Sequence, residues 1–201
     1  MTDIFGREAI NTNLSFPLSI DNPRKCGYTD QEGGDFMEIL ELDRGITLAW
    51  CALEGESGHD AGLRLLAALY RRETGNGMPS ISRTERGKPY FPGDPLHFSV
   101  SHTPRHAFCA LSPAPIGIDA EETDRIIRPG LAGKILSPGE LRQYDAALDK
   151  RRTLLTFWVL KEAAAKLSGE GLRSYPNHSS FVLPDPRVRE LGGCLVAILE
   201  E

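Results

Sequence analysis

The run Ile116-Gly117-Ile118-Asp119-Ala120-Glu121-Glu122 constrains this chain more than any other. Apolar and acidic residues alternate in it, and side chains on a strand alternate with a period of two. It predicts a strand with Ile116, Ile118 and Ala120 on one face and Asp119 and Glu121 on the other. Glu122 is expected at the surface. Two carboxylates about 7 Å apart on one strand face repel unless something positive lies between them. A second run, Phe157-Trp158-Val159-Leu160-Lys161-Glu162-Ala163-Ala164-Ala165-Lys166, is rich in helix formers. Trp158, Glu162 and Lys166 are spaced i, i+4, i+8 and share a helix face. If that helix crosses the strand, Glu162 becomes a third carboxylate beside Asp119 and Glu121, flanked by Lys161 and Lys166. Three hard oxygen ligands with lysines alongside suit Mg²⁺ on a phosphate-bearing substrate. Each run alone also has a plain reading, a solvated strand face and a surface helix with i,i+4 ion pairs.

The chain has 201 residues, enough to bury a core, as one large domain or two small ones. Its net charge of −5 is unevenly spread. Residues 1–60 hold 12 acidic and 4 basic side chains, and residues 61–201 hold 16 and 19. An anionic ligand therefore docks more readily on the later part. No nucleic-acid signature is present. Cys26, Cys51, Cys109 and Cys194 lie far apart, with no CxxC and no Cys/His cluster at zinc-ligand spacing, so free buried thiols in a reducing cytosol are expected. The opening residues MTDIFGREAINTN lack the pattern of a signal peptide, and no run approaches a membrane span. A cytoplasmic protein, with no membrane partner, is expected.

Residues 1–36 show no sustained period and read as an N-terminal extension of uncertain structure. Met37–Leu42 and Ile46–Leu53 read as strands around the turn Asp43-Arg44-Gly45. His59–Thr74 carries helical spacing at Leu63, Leu66, Ala67 and Tyr70, and Gly75-Asn76-Gly77 ends it. Ile81–Phe91 reads as extended chain with a turn. Leu96–His102 and Ala107–Leu111 read as paired strands. Arg128–Leu136 predicts a short helix, and Ser137-Pro138-Gly139-Glu140 is a capping box opening another to about Leu148. Arg152–Leu167 is the long helix. Ser180–Leu183 and Cys194–Leu199 return to strand alternation. The order predicts an α+β fold of two similar halves, residues 37–114 and 115–201, with the carboxylates where they meet.

Four stretches in this order resemble the Sfp-type 4′-phosphopantetheinyl transferases: Arg86-Gly87-Lys88-Pro89-Tyr90, Phe98-Ser99-Val100-Ser101-His102, the Ile116–Glu121 run and the Phe157–Lys166 run. Gly169-Glu170-Gly171-Leu172 also fits. The resemblance spans roughly residues 60–183, and G-I-D-x-E followed by W-x-x-K-E-x-x-x-K is that superfamily's signature. It implies the pseudo-twofold fold of two α+β halves in a single, monomeric chain. It also implies transfer of the phosphopantetheine arm of coenzyme A to a serine of an acyl or peptidyl carrier protein, leaving 3′,5′-ADP. By resemblance, Asp119, Glu121 and Glu162 hold Mg²⁺ on the pyrophosphate. Glu162 is also the base for the serine, directly or through water. Lys166 contacts the attacked phosphate, and Lys161 assists beside Glu162. Lys88, Ser101 and His102 grip the 3′-phosphate or pyrophosphate, and Arg86–Phe91, with Pro89, passes along the adenosine. The family's basic cluster before the first helix is missing: residues 43–63 offer only Arg44. Arg64 or Arg71 stands as a replacement.

The chemistry asks for these residue types. Attack on a diphosphate ester must stabilise charge on the phosphate oxygens, which a divalent ion and cationic side chains do. A neutral serine needs a base within hydrogen-bond reach. Two other readings use the same residues. One is a Mg²⁺-dependent phosphohydrolase of nucleotides, needing no carrier, and the other is a non-catalytic module that grips coenzyme A or a carrier.

Overall fold

The computed structural model describes residues 25–29, 36–170 and 179–201. Its described elements form four layers, helix on sheet on sheet on helix. The first sheet joins β1 (Lys25–Thr29), β2 (Phe36–Glu41), β3 (Thr47–Ala52), β7 (His106–Ser112) and β6 (His97–His102), in the order β1-β2-β3-β7-β6. Every pairing in it is antiparallel. Helix α1 (Gly58–Thr74) covers its outer face. Short β4 (Ser82–Arg83) and β5 (Pro89–Tyr90) form a hairpin beside it. The second sheet is β8 (Ile116–Glu122), β10 (Cys194–Glu200) and β9 (Val188–Leu191), in the order β8-β10-β9. Helices α2 (Ala132–Ile135) and α3 (Pro138–Ala146) lead into α4 (Lys150–Ser168), which covers that sheet.

Binary patterning sets the layers. On β8 and β10, Ile116, Ile118, Ala120, Val196 and Ile198 face the first sheet and pack with Leu48, Trp50 and Phe108. Leu195, Ala197 and Leu199 face the other way and pack under Leu155 and Phe157 of α4. Burying one such leucine or phenylalanine contributes roughly 1.5–3 kcal/mol. The sheets also meet edge to edge. Ser99 Oγ accepts from the Ile118 N–H at 3.0 Å, and Ser101 Oγ accepts from the Ala120 N–H at 3.2 Å. Those two serines satisfy backbone donors on the β8 edge that no strand pairs.

Helix α4 lies directly on β8. Gly117 permits this: a methyl group there would run into the Ala163 carbonyl oxygen and stand 2.5 Å from the Leu167 backbone nitrogen. Helix α4 is further locked by a buried charge pair. Lys161 Nζ is 2.9 Å from Glu140 Oε2, with side chains 4% and 1% exposed. The Glu140 carboxylate also accepts from the Ser137 N–H at 2.7 Å, closing the capping box of α3, and from the Phe181 N–H at 2.9 Å.

The structure departs from the sequence reading at several places. Residues 25–29, expected in the extension, form strand β1 at the sheet edge; residues 1–24 lie outside the described residues. Ser180–Leu183 is not a strand. The backbone N–H groups of Phe181 and Leu183 donate to Glu140 and Gln143 of α3 instead of to a neighbouring strand. The C-terminal edge strand is Val188–Leu191, whose alternation is blurred by three charged or partly exposed positions. The predicted helix over Arg128–Leu136 is a 3₁₀ turn, Pro129–Leu131, followed by one turn of α-helix. Helix α3 stops at Ala146. Cys51, Cys109 and Cys194 are buried thiols that take part in no disulfide. No helix among the described residues is long and apolar enough to cross a membrane.

Two stability experiments follow from this packing. Gly117→Ala should cost about 2–4 kcal/mol in urea unfolding, because the obstructing atoms are backbone and cannot rotate away. Glu140→Ala should cost about 3–5 kcal/mol by leaving Lys161 buried without its partner, against about 1 kcal/mol for Ser137→Ala, which removes only a cap.

Candidate active site

Strand β8 and helix α4 bring most of the expected residues to one seam. Asp119, on the α4 face of β8, is buried at 7% exposure. Its Oδ1 accepts from the Ser101 hydroxyl at 2.9 Å and pairs with Lys166 Nζ at 2.8 Å. Lys166 Nζ also reaches the Val100 carbonyl oxygen at 3.3 Å. Asp119 Oδ2 is buried with no hydrogen-bond partner. Glu121, two residues on, accepts from the Trp158 indole N–H at 3.1 Å and pairs with Arg125, whose guanidinium lies 5.6 Å above the Trp158 ring. Trp158 thus positions a candidate ligand.

A cleft opens between α4 and the β4–β5 hairpin, with room for about 360 Å³, toward the small end of ligand sites. Glu162 and Lys166 line it from α4, Lys88 and Pro89 from the hairpin, and Phe98 and Val100 from β6. Arg86 borders it and pairs with Glu170 at 2.9 Å. Lys88 Nζ donates to the Leu167 carbonyl in the last turn of α4, where the helix dipole favours a cation. Burial pushes the Lys88 ammonium below its ordinary value, against the attraction of Glu201. The α4 and hairpin sides of the cleft therefore carry Glu162, Lys166 and Lys88, and the β6 side, with Phe98 and Val100, is apolar.

Three expected residues sit elsewhere. Lys161 turns away from the carboxylates, because one position along a helix rotates a side chain by about 100°, and it meets Glu140 instead. His102 is exposed at the end of β6, its ring against Gly58 at the start of α1, and borders a neighbouring cleft with Glu121 and Arg105. Arg64 faces Glu56 and Cys51 in a third cavity. Ser101 is close to the carboxylates, but its hydroxyl is spent on Asp119 and the β8 backbone.

A buried polar knot on the opposite face of β8 corrects the reading of Glu122. Strand parity places Glu122 with Ile116, Ile118 and Ala120, facing inward, at 5% exposure. Thr103 Oγ1 donates to its Oε1 at 2.6 Å, Arg105 Nη2 donates to its Oε2 at 2.7 Å, and His106 Nδ1 lies 3.2 Å from Oε1. The period-two pattern that placed Asp119 and Glu121 carried this signal too.

Residues 115–192 match the 4′-phosphopantetheinyl transferase superfamily. A 4′-phosphopantetheinyl transferase of Bacillus subtilis is 36% identical over 123 residues, 53% of this chain and 53% of that protein. The 4′-phosphopantetheinyl transferase Sfp of Bacillus subtilis strain 168 is 37% identical over 98 residues, 46% of this chain and 42% of that protein. The 4′-phosphopantetheinyl transferase gsp of Aneurinibacillus migulanus is 30% identical over 92 residues, 45% of this chain and 38% of that protein. The chain thus spans about half the length, or less, of these curated relatives.

Burial alone would raise the Glu122 carboxyl, but the hydrogen bonds from Arg105, Thr103 and His106 hold it down at about 2. An unfolded glutamate titrates near ~4.3, so this knot stabilises the fold above that pH and its contribution disappears as the pH falls toward 2. Arg105→Ala should therefore lower stability at neutral pH, with the deficit shrinking in acid. Urea unfolding of both proteins across a pH series reads this.

Proposed function

We propose that this chain transfers the 4′-phosphopantetheine arm of coenzyme A to a serine of an acyl or peptidyl carrier protein and releases 3′,5′-ADP. The observation that carries this reading is the cleft where Lys88, Lys166 and Glu162 converge beside Asp119, whose Oδ2 is buried and unpartnered. The activity named for three similar proteins supports the same reaction. The two halves of the chain, 37–114 and 115–201, are taken as the working units, acting as a cytoplasmic monomer.

In the proposed reaction the serine oxygen attacks the phosphorus that bears the pantetheine arm. The bond from that phosphorus to the bridging oxygen breaks, and 3′,5′-ADP leaves with the electron pair. Glu162 takes the serine proton, directly or through a water. Lys166 stands where negative charge builds on the attacked phosphate. Lys88 and Arg86 hold the anionic end of coenzyme A, and Pro89 lies along its adenosine. His102 meets a phosphate at the start of α1, where backbone N–H groups favour an anion. Lys161 serves as a positioning residue that anchors α4 through Glu140, and Arg64 is left on the far side of α1.

Asp119, Glu121 and Glu162 are the residues that would hold Mg²⁺. Carboxylate oxygens suit that ion, and the unpartnered Asp119 Oδ2 is a donor left for it. Bound there, Mg²⁺ would neutralise charge on the pyrophosphate.

Intact mass spectrometry of an apo carrier protein incubated with this protein, coenzyme A and MgCl₂ should show a gain of one phosphopantetheine arm, lost with EDTA. Asp119→Asn and Glu162→Gln should each lower kcat/KM by at least about 10²-fold, a typical scale for a lost ligand or base. Consumption of coenzyme A without any carrier would instead favour the phosphohydrolase.

A further inference from the structure

Outside the cleft just described, the molecule gathers three side chains of unlike chemistry from three strands. His106 comes from β7, Glu122 from β8 and Cys194 from β10. Their ligand atoms all lie within 4.8 Å of one another, and among the described residues no other group of three His, Cys, Asp or Glu does so. Glu122 and Cys194 are direct partners in the β8–β10 register. The first sheet, packed against that face, supplies His106.

The two edges that meet at His106 match those of a coordination sphere. His106 Nδ1 is 3.2 Å from Glu122 Oε1 and 3.6 Å from Cys194 Sγ. A tetrahedral Zn²⁺ with bonds of roughly 2.0–2.1 Å to nitrogen and oxygen and 2.3 Å to sulfur needs edges of about 3.3–3.4 Å and 3.6 Å. The carboxylate is held for the purpose. Arg105 donates to its far oxygen, and the Thr103 hydroxyl, whose oxygen accepts from the backbone N–H of His106 at 2.9 Å, donates to the near one. The Cys194 sulfur lies 3.6 Å from His106 Nδ1 and 3.9 Å from the Gly192 carbonyl oxygen. A cavity of about 160 Å³ opens beside His106 and Gly192.

We propose that His106, Glu122 and Cys194 form a site for one borderline divalent cation, Zn²⁺ or Co²⁺, which pins the first sheet to the second. It is separate from the Asp119 cleft, because Glu122 and Asp119 lie on opposite faces of β8. A nitrogen, a thiolate and a single carboxylate oxygen select against Mg²⁺, which takes oxygen alone. On binding, the Cys194 thiol releases its proton to solvent and sulfur donates to the cation, while His106 binds through Nδ1 with its proton on Nε2.

The test is a Co²⁺ titration of the purified, metal-free full chain in excess Mg²⁺. The expected result is a thiolate-to-cobalt charge-transfer band that saturates at one equivalent and is bleached by Zn²⁺. Cys194→Ser should abolish the band. His106→Gln, at a partly exposed strand end, should weaken Co²⁺ binding at least tenfold while far-UV circular dichroism stays native. Cys51→Ser, whose thiol lines the same cavity, and Asp119→Asn should leave the band in place. Zn²⁺ should raise the Tm of the wild type and not of His106→Gln. No band in the wild type, a band that persists in Cys194→Ser, or loss of the band to Mg²⁺ would each overturn the proposal.

Discussion

The close approach of α4 to β8 at Gly117 is the contact on which the rest depends. An ordinary side chain at that position would hold the helix away from the strand. Asp119 and Lys166 stand 2.8 Å apart because the helix backbone rests on the strand backbone two residues earlier. The same approach carries Trp158 to Glu121 and turns Glu162 into the cleft. Protein packing is dense and transmits such a displacement rather than absorbing it. The seam is therefore rigid where charges must be held at fixed separations.

A second constraint is the edge of β8. One edge pairs with β10, and the other would present bare N–H groups toward β6. Ser99 and Ser101 accept those donors, and Ser101 also donates to Asp119. One short polar side chain thus joins two sheets and orients a carboxylate. Larger residues at these positions could not fit between the strands, and apolar ones would leave buried donors unsatisfied. The two faces of β8 then carry different chemistry: anion-handling residues toward α4, and a knot of Thr103, Arg105, His106, Glu122 and Cys194 toward the first sheet.

Much of the fold was legible along the chain. The strands β2, β3, β6, β7, β8 and β10 and the helices α1 and α4 lie within a residue or two of their expected bounds, because their periodicity is strong. The capping box at Ser137 and Glu140 closed as its spacing required. Ser180–Leu183 alternates like a strand, yet its backbone bonds to α3 side chains, a competition that local pattern cannot reveal. Glu122 is charged and so reads as a surface residue, yet its parity with Ile118 and Ala120 sets it inward.

By itself the sequence determined which residues share a face, since that follows from local spacing: Asp119 with Glu121, and Trp158 with Glu162 and Lys166. Only the tertiary structure decided what those faces meet. It set Lys166 against Asp119, left Asp119 Oδ2 unpartnered, and sent Lys161 to Glu140. It also brought His106 and Cys194, 88 residues apart, within 3.6 Å. The physical reason is that periodicity reports only which way a side chain leaves its own element. The partner it finds depends on how elements distant in the chain dock, and here steric contact at a single glycine controls that docking.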